Sequence, residues 1–106
     1  MRFLLLLVLG LCPALASAVV PEATITIRNH RFVPAETTIP ANTKVKLLIV
    51  NEDTTPEEFE SHELNREKVV VGRGRITVYV GPLKPGRYPF FGDFHSVTAQ
   101  GALIVK

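Results

Sequence analysis

The sequence has 106 residues, with 12 Lys or Arg against 10 Asp or Glu, so its formal net charge is only +2 at pH 7. This near balance argues against a nucleic-acid partner and against a polybasic membrane contact. The length is sufficient for one small domain and no more.

The first 18 residues are typical of a secretory signal peptide. Arg2 is the only charge before Glu22, residues 3–11 are apolar apart from one glycine, and Ala16-Ser17-Ala18 has the small residues of a cleavage site. An uncleaved membrane anchor is the weaker alternative, because a span needs about 20 apolar residues. We therefore predict export, cleavage after Ala18 and a domain over residues 19–106.

Both sulfur-containing residues belong to this leader. Cys12 is the only cysteine and Met1 the only methionine, so the exported domain has no sulfur ligand and no disulfide. A domain of this size without disulfides depends on its apolar core, which favours a closed sandwich over a loop-rich scaffold.

Short apolar segments separated by Pro, Gly and Asn turns follow one another along the domain. Residues 24–28 and 75–80 alternate polar and apolar, as half-buried strands do, and 45–50 is the strongest strand. For residues 64–68, a helical turn and a short strand or loop fit the sequence equally well. About seven to eight short strands without a convincing helix predict an all-β, Greek-key β-sandwich with antiparallel sheets.

An acidic segment follows the loop at 51–56. If residues 57–63 are extended, Glu58, Glu60 and His62 lie on one face and Phe59 on the other. The alternative for each glutamate of this segment is a solvated rim. The alternative for His62 is a surface histidine without a ligand role.

The aromatic strand Tyr88–Phe91 ends at Gly92 and leads into a loop that contains Asp93 and His95. These two residues share a face if the chain stays extended, and carboxylate and imidazole groups are metal ligands. The alternative for Asp93 is a turn residue that caps the loop backbone. The alternative for His95 is a partly buried histidine that is hydrogen-bonded to the backbone.

Three motifs in this order resemble a small cupredoxin. They are Phe32-x-Pro34 after the first strand, the long strand from Val45 closed by Asn51, and Pro85-Gly86-x-Tyr88-x-Phe90 leading to His95. The resemblance spans nearly all of the domain and implies a cupredoxin-like Greek-key β-sandwich.

The departures from the family pattern exclude a blue-copper electron carrier. Gly92 stands where the cysteine ligand would be, Ala99 or Gln100 where the methionine would be, and residues 56–59 where the second histidine would be. A His₂Cys site cannot form without a cysteine.

The segment Glu58-Phe59-Glu60 and the cysteine-free loop from Phe90 to His95 are similar to EfeO-type cupredoxin-like domains. That resemblance implies a standalone periplasmic protein that assists Fe(II) oxidation before uptake, with a periplasmic iron-binding protein and a membrane iron permease as partners. Whether such a protein turns over Fe(II) as an accessory ferroxidase is left open by the sequence.

The donors that remain are carboxylate oxygen and imidazole nitrogen, which suit Cu(II), Fe(II), Fe(III) or Zn(II). We expect a copper or iron site where the two loops meet at one end of the sandwich. Its predicted ligands are Glu58, Glu60, Asp93 and His95, with His30 from the turn before Phe32.

Two other functions remain open. One is a periplasmic copper carrier or buffer without redox turnover, and the other is a metal-free module that presents the acidic face 57–63 to a partner. A hydrolase is not indicated, because the adjacent Ser61 and His62 do not place a nucleophile against a base.

Overall fold

A computed structural model describes residues 19–106. They form nine strands: β1 Glu22–Arg28, β2 Arg31–Val33, β3 Glu36–Ile39, β4 Val45–Asn51, β5 Glu57–Ser61, β6 Arg66–Val70, β7 Arg75–Val80, β8 Gly86–Gly92 and β9 Gln100–Val105. A 3-10 turn, Asp93–His95, joins β8 to the loop before β9. The predicted signal peptide at 1–18 lies outside the described residues and stays a prediction.

Two sheets form the sandwich, with strand orders β2-β1-β4-β7 and β3-β9-β8-β5-β6. The predicted all-β sandwich is thereby confirmed. The sheets are not purely antiparallel, because β1 pairs with β4 and β3 with β9 in parallel. A parallel pair needs a crossover connection, and single-sequence periodicity does not report one. The ambiguous segment at 64–68 belongs to the hairpin of β5 and β6.

The core lies between the sheets and follows the two-residue period of the strands. In β4, Val45, Leu47 and Ile49 are buried as predicted. Phe59 and Phe90 are also buried and their ring centres are 5.0 Å apart. This aromatic contact fixes β5 against β8 beside the loops at one end of the sandwich.

Three connections meet at that end. The two-residue turn between β1 and β2 has positive φ at both Asn29 and His30, the geometry of a tight hairpin turn. The loop 51–56 and the segment 93–99 lie beside it. Among residues 19–106, no helix is long and apolar enough to cross a membrane.

Candidate functional site

Glu57 and His95 form a close pair at this end of the sandwich. The side chain of Glu57 is 1% exposed, and its Oε2 lies 2.7 Å from Nδ1 of His95. Its Oε1 accepts hydrogen bonds from the backbone N–H groups of Phe94 (2.8 Å) and Glu58 (2.9 Å). Since a carboxylate only accepts hydrogen bonds, this bond requires a proton on His95 Nδ1, which in a neutral imidazole leaves the lone pair on Nε2.

His30 lies flat against His95. The two ring centres are 3.6 Å apart and the ring planes differ by only 12°. His30 Nε2 is 3.3 Å from Thr55 Oγ1, and the hydroxyl of Thr98 donates a 2.6 Å hydrogen bond to the His30 carbonyl. The β1–β2 turn therefore covers one side of the His95 ring.

Asp53 holds the turn that carries His30. Its two carboxylate oxygens accept hydrogen bonds from the backbone N–H groups of Asn29 (2.8 Å) and His30 (2.9 Å). Burial by itself raises the pKa of Asp53, but the two backbone hydrogen bonds and the nearby His30 and His95 rings outweigh it and lower the pKa below its ordinary value. These bonds stabilise a turn in which two non-glycine residues have positive φ.

The structure divides the predicted ligands into two groups. Glu58, Glu60 and Asp93 form one group, whose oxygens lie within 4.8 Å of one another on the outer face of the five-stranded sheet. His95 and His30 form the other group on the opposite side of β5, together with Glu57. The five residues therefore do not converge on one point in this conformation, and their predicted metal binding stays a prediction.

Glu57 is the site residue that the sequence analysis missed. The solvated rim that was the alternative for each glutamate of this segment is wrong for Glu57, because its side chain is buried. The signal was present: Glu57 is two residues from Phe59, so an extended chain turns both side chains inward. Two of its three partners, Phe94 and His95, could not be foreseen, because they lie far along the chain.

The acidic group on the outer face is strained by like charges. Partial burial, contact with the carboxyl of Glu67 and repulsion from Glu67, Glu60 and Asp93 raise the pKa of Glu58 from 4.5 to about 7. Crowded carboxylates of this kind are more stable when one of them holds a proton.

Glu58→Gln is therefore expected to stabilise the domain at pH 8 and to leave it unchanged near pH 4. The folded state binds the Glu58 proton more tightly than the unfolded state does, so this carboxyl lowers stability as the pH rises from about 4.5 to about 7. Thermal unfolding of the wild type and the variant at the two pH values measures the difference, which added salt reduces. Glu63→Gln, an exposed change outside the group, is the control. A lower unfolding midpoint for Glu58→Gln than for the wild type at pH 8 would contradict this expectation.

The comparisons with known proteins identify the family. The model of the cupredoxin-like domain family matches residues 1–105. The chain belongs to the cupredoxin-like family. A relative of this cupredoxin-like chain is an uncharacterized protein, RP394, of Rickettsia prowazekii, which is 54% identical over 85 residues, covering 80% of this chain and 68% of that protein.

Solved structures show the same cupredoxin fold. The metal-binding domain of the Cu(I)-exporting ATPase CopA of Streptococcus pneumoniae has a TM-score of 0.68 at 13% identity, over 80% of this chain and 84% of that one. Auracyanin A, a blue copper protein of Chloroflexus aurantiacus, has a TM-score of 0.67 at 14% identity, over 80% and 98% of the two chains. This cupredoxin-like chain thus shares its fold with copper-binding proteins.

A blue-copper centre does not fit the residues that this cupredoxin-like domain has. Besides the lack of sulfur ligands, the space beside Gly92 is filled. A Cβ atom built on Gly92 would lie 2.5 Å from Cδ of Glu57 and 2.7 Å from Cβ of Ala99. The side chain of Glu57 therefore lies where a side chain at position 92 would extend.

Proposed function

We propose that this domain is an exported, periplasmic metal-binding protein that takes up a copper or iron ion through His95. The observation that carries the proposal is the hydrogen bond between His95 Nδ1 and the buried carboxylate of Glu57. Histidines that ligate metals commonly donate their other ring N–H to a carboxylate, which fixes the ring and raises its basicity. The His95 side chain is 25% exposed, so solvent reaches the ring.

The stacked rings allow one imidazole at a time to bind an ion. A ligand lone pair lies in the plane of its ring, and the planes of His30 and His95 are nearly parallel with centres 3.6 Å apart. One ion cannot lie in both planes. We therefore infer that His95 binds first and that His30 joins only after its ring rotates out of the stack.

The donor chemistry limits the choice of metal. Imidazole nitrogen with carboxylate or water oxygen suits Cu(II), Fe(II), Fe(III) or Zn(II) rather than Cu(I). We propose that the role of this protein in the periplasm is to assist Fe(II) oxidation and to pass the iron to a periplasmic iron-binding protein and a membrane permease. Each Fe(II) ion would lose one electron, with dioxygen in solution as the acceptor. Similarity to EfeO-type domains supports this finer role.

Metal titration of the protein comprising residues 19–106 tests the proposal. Cu(II) and Fe(III) are expected to bind more tightly than millimolar, and His95→Ala is expected to weaken binding by at least about 10-fold, the loss typical of disturbing a metal ligand's support. His62→Ala is the matched control, since His62 is 76% exposed on the outer face and should bind like the wild type. Equal affinities for the wild type and His95→Ala would overturn the proposal.

The same titration shows whether the carboxylates on the outer face of the sheet contribute to metal binding. The double variant Glu58→Gln with Glu60→Gln removes two of the three clustered oxygens. A loss of Fe(III) binding in this variant, with His95→Ala unaffected, would move the site to the acidic group and reject His95 as the principal ligand.

A copper carrier without redox turnover is the second candidate. It shares the His95 site and differs only in the reaction, so oxygen consumption with Fe(II) distinguishes it. Accelerated oxygen uptake that disappears in His95→Ala supports assisted iron oxidation. Tight Cu(II) binding without accelerated uptake supports the carrier.

One observation favours a metal-free interaction module. The buried carboxylate of Glu57 already accepts hydrogen bonds from the backbone N–H groups of Glu58 and Phe94 and from His95 Nδ1. These polar groups are therefore all hydrogen-bonded without an ion. Unchanged stability in chelator is expected in either case. Binding of a partner by chelator-treated protein, lost when Glu58 and Glu60 are both changed to Gln, would support the module.

A further inference from the structure

The buried carboxylate of Glu57 occupies the space that a side chain at position 92 would need. Gly92 lies in β8 directly opposite Phe59 of β5. A Cβ atom on Gly92 would lie 2.5 Å from Cδ and 2.8 Å from Oε2 of Glu57, closer than real Cβ atoms approach other atoms. Glycine at 92 and a carboxylate at 57 are therefore sterically matched.

Three N–H donors converge on this carboxylate. The backbone N–H of Glu58 comes from β5, the backbone N–H of Phe94 from the 3-10 turn, and His95 Nδ1 from the end of that turn. Their hydrogen bonds are 2.7 to 2.9 Å long, and the side chain they surround is 1% exposed. Converging backbone N–H groups form an anion-binding concavity.

We propose that Glu57 is a built-in anion that fills an anion-binding pocket beside Gly92. Both of its oxygens are engaged and the side chain is buried, so it is a positioning residue rather than a metal ligand. It fixes the 3-10 turn Asp93–His95 after β8 and holds the His95 proton on Nδ1. The inference does not depend on metal binding, because every readout below is made on the metal-free protein.

Emptying the pocket should create a site for a small carboxylate. Glu57→Ala keeps the three donors and removes the anion, and we expect its thermal unfolding midpoint to fall by at least about 10 °C. Sodium formate is the probe, because it supplies one carboxylate of the right size. Formate should raise the unfolding midpoint of Glu57→Ala with saturation, whereas equal concentrations of sodium chloride or formamide should not.

A spectroscopic measurement distinguishes a role of Glu57 in positioning His95 from a role in packing alone. In the wild type, ¹⁵N NMR of the imidazoles should show His95 protonated on Nδ1, and this state should be lost in Glu57→Ala and return with formate. The control is Glu60→Ala, which removes a half-buried carboxylate of the same strand and should show no response to formate. No formate effect on either the midpoint or the His95 tautomer would overturn the proposal.

A second variant, Glu57→Gln, gives a result even if Glu57→Ala does not fold. Glu57→Gln preserves the shape but offers only one accepting oxygen, so it should lower the unfolding midpoint and change the His95 tautomer. Wild-type stability and tautomer in Glu57→Gln would contradict the role of the anion. Where Glu57→Ala folds, Gly92→Ala should lower the midpoint less in the Glu57→Ala background than in the wild type, because the clashing carboxylate is gone. Equal losses in the two backgrounds would contradict the steric match.

Discussion

Replacing Asn51 with leucine is expected to lower the free energy of unfolding by about 3–4 kcal/mol. The side chain of Asn51 is 1% exposed. Its Nδ2 donates to the carbonyls of Thr55 and Val71 at 2.9 and 3.2 Å, with a longer contact to Val70, and its Oδ1 accepts the N–H of Asp53 at 3.0 Å. Leucine fills a similar volume but leaves these backbone groups without their side-chain partner; the contact to the Val70 carbonyl is buried and the other three are partly buried.

Loss of the Asn51 side chain should also affect the β1–β2 turn, which carries His30. Asn51 fixes Asp53, and Asp53 in turn accepts the backbone N–H groups of Asn29 and His30. Asn51→Leu should therefore weaken the stacking of His30 on His95 as well as the overall stability. Urea denaturation measures the stability, and the NMR shifts of the His95 ring protons report the stack.

Glu52→Gln is the control for this prediction. Glu52 is in the same loop, but its side chain is 49% exposed and pairs with Arg28 on the surface, so its loss should cost no more than about 1 kcal/mol. Should Asn51→Leu prove no more destabilising than Glu52→Gln, the loop 51–56 is not held by the Asn51 side chain.

Gly72→Ala is expected to be the most damaging glycine substitution, with a loss of about 3 kcal/mol or more. A Cβ atom at Gly72 would lie 2.0 Å from the carbonyl oxygen and 2.5 Å from the carbonyl carbon of Thr54. These are backbone atoms, which cannot rotate away as a side chain can. The turn after β6 would have to separate from the loop 51–56, which Arg73 also contacts through a 2.8 Å hydrogen bond from its N–H to the Asp53 carbonyl.

The same turn offers a matched control in Gly74→Ala. Its Cβ would meet Cγ2 of Val71 at 2.6 Å, but Val71 is 64% exposed and can change rotamer. We expect a loss of no more than about 1 kcal/mol for Gly74→Ala by urea denaturation. Similar losses for the two alanine variants would show that the approach of Gly72 to Thr54 does not limit the fold.

The sheet pattern was largely readable from the residues. The inward set Val45, Leu47 and Ile49 and the opposite directions of Phe59 and Glu58 follow from the two-residue period of a strand. The parallel pairings β1–β4 and β3–β9 were not readable, because a partner strand distant along the chain leaves no local signal.

The candidate site could be predicted only in part. His95 and His30 were singled out and do meet, but as a stacked pair rather than with the carboxylates of Glu58 and Glu60. Burial of Glu57 contradicts the usual preference of glutamate for solvent. It is tolerated because N–H groups from two separate parts of the chain surround the carboxylate, and their convergence is a property of the folded structure.

The packing of the aromatic side chains could also be predicted only in part from the sequence. Phe90 lies in the core, whereas Phe94, four residues later, is 48% exposed. The difference arises because the chain leaves β8 at Gly92 and turns through the 3-10 turn Asp93–His95, which ends the alternation. The same turn brings the backbone N–H of Phe94 and the ring of His95 to Glu57.

The proposed metal site depends on Glu57 presenting Nε2 of His95 to an ion at this end of the sandwich. The most direct measurement is a long-range ¹H–¹⁵N NMR spectrum of the three histidines, recorded on the protein comprising residues 19–106 before and during addition of substoichiometric Cu(II). We expect free His95 to be protonated on Nδ1, and we expect Cu(II) to broaden the His95 resonances first, those of His30 next and those of His62 last. Protonation of free His95 on Nε2, or broadening that begins at His62 and the Glu58–Glu60 face and spares His95, would contradict this expectation.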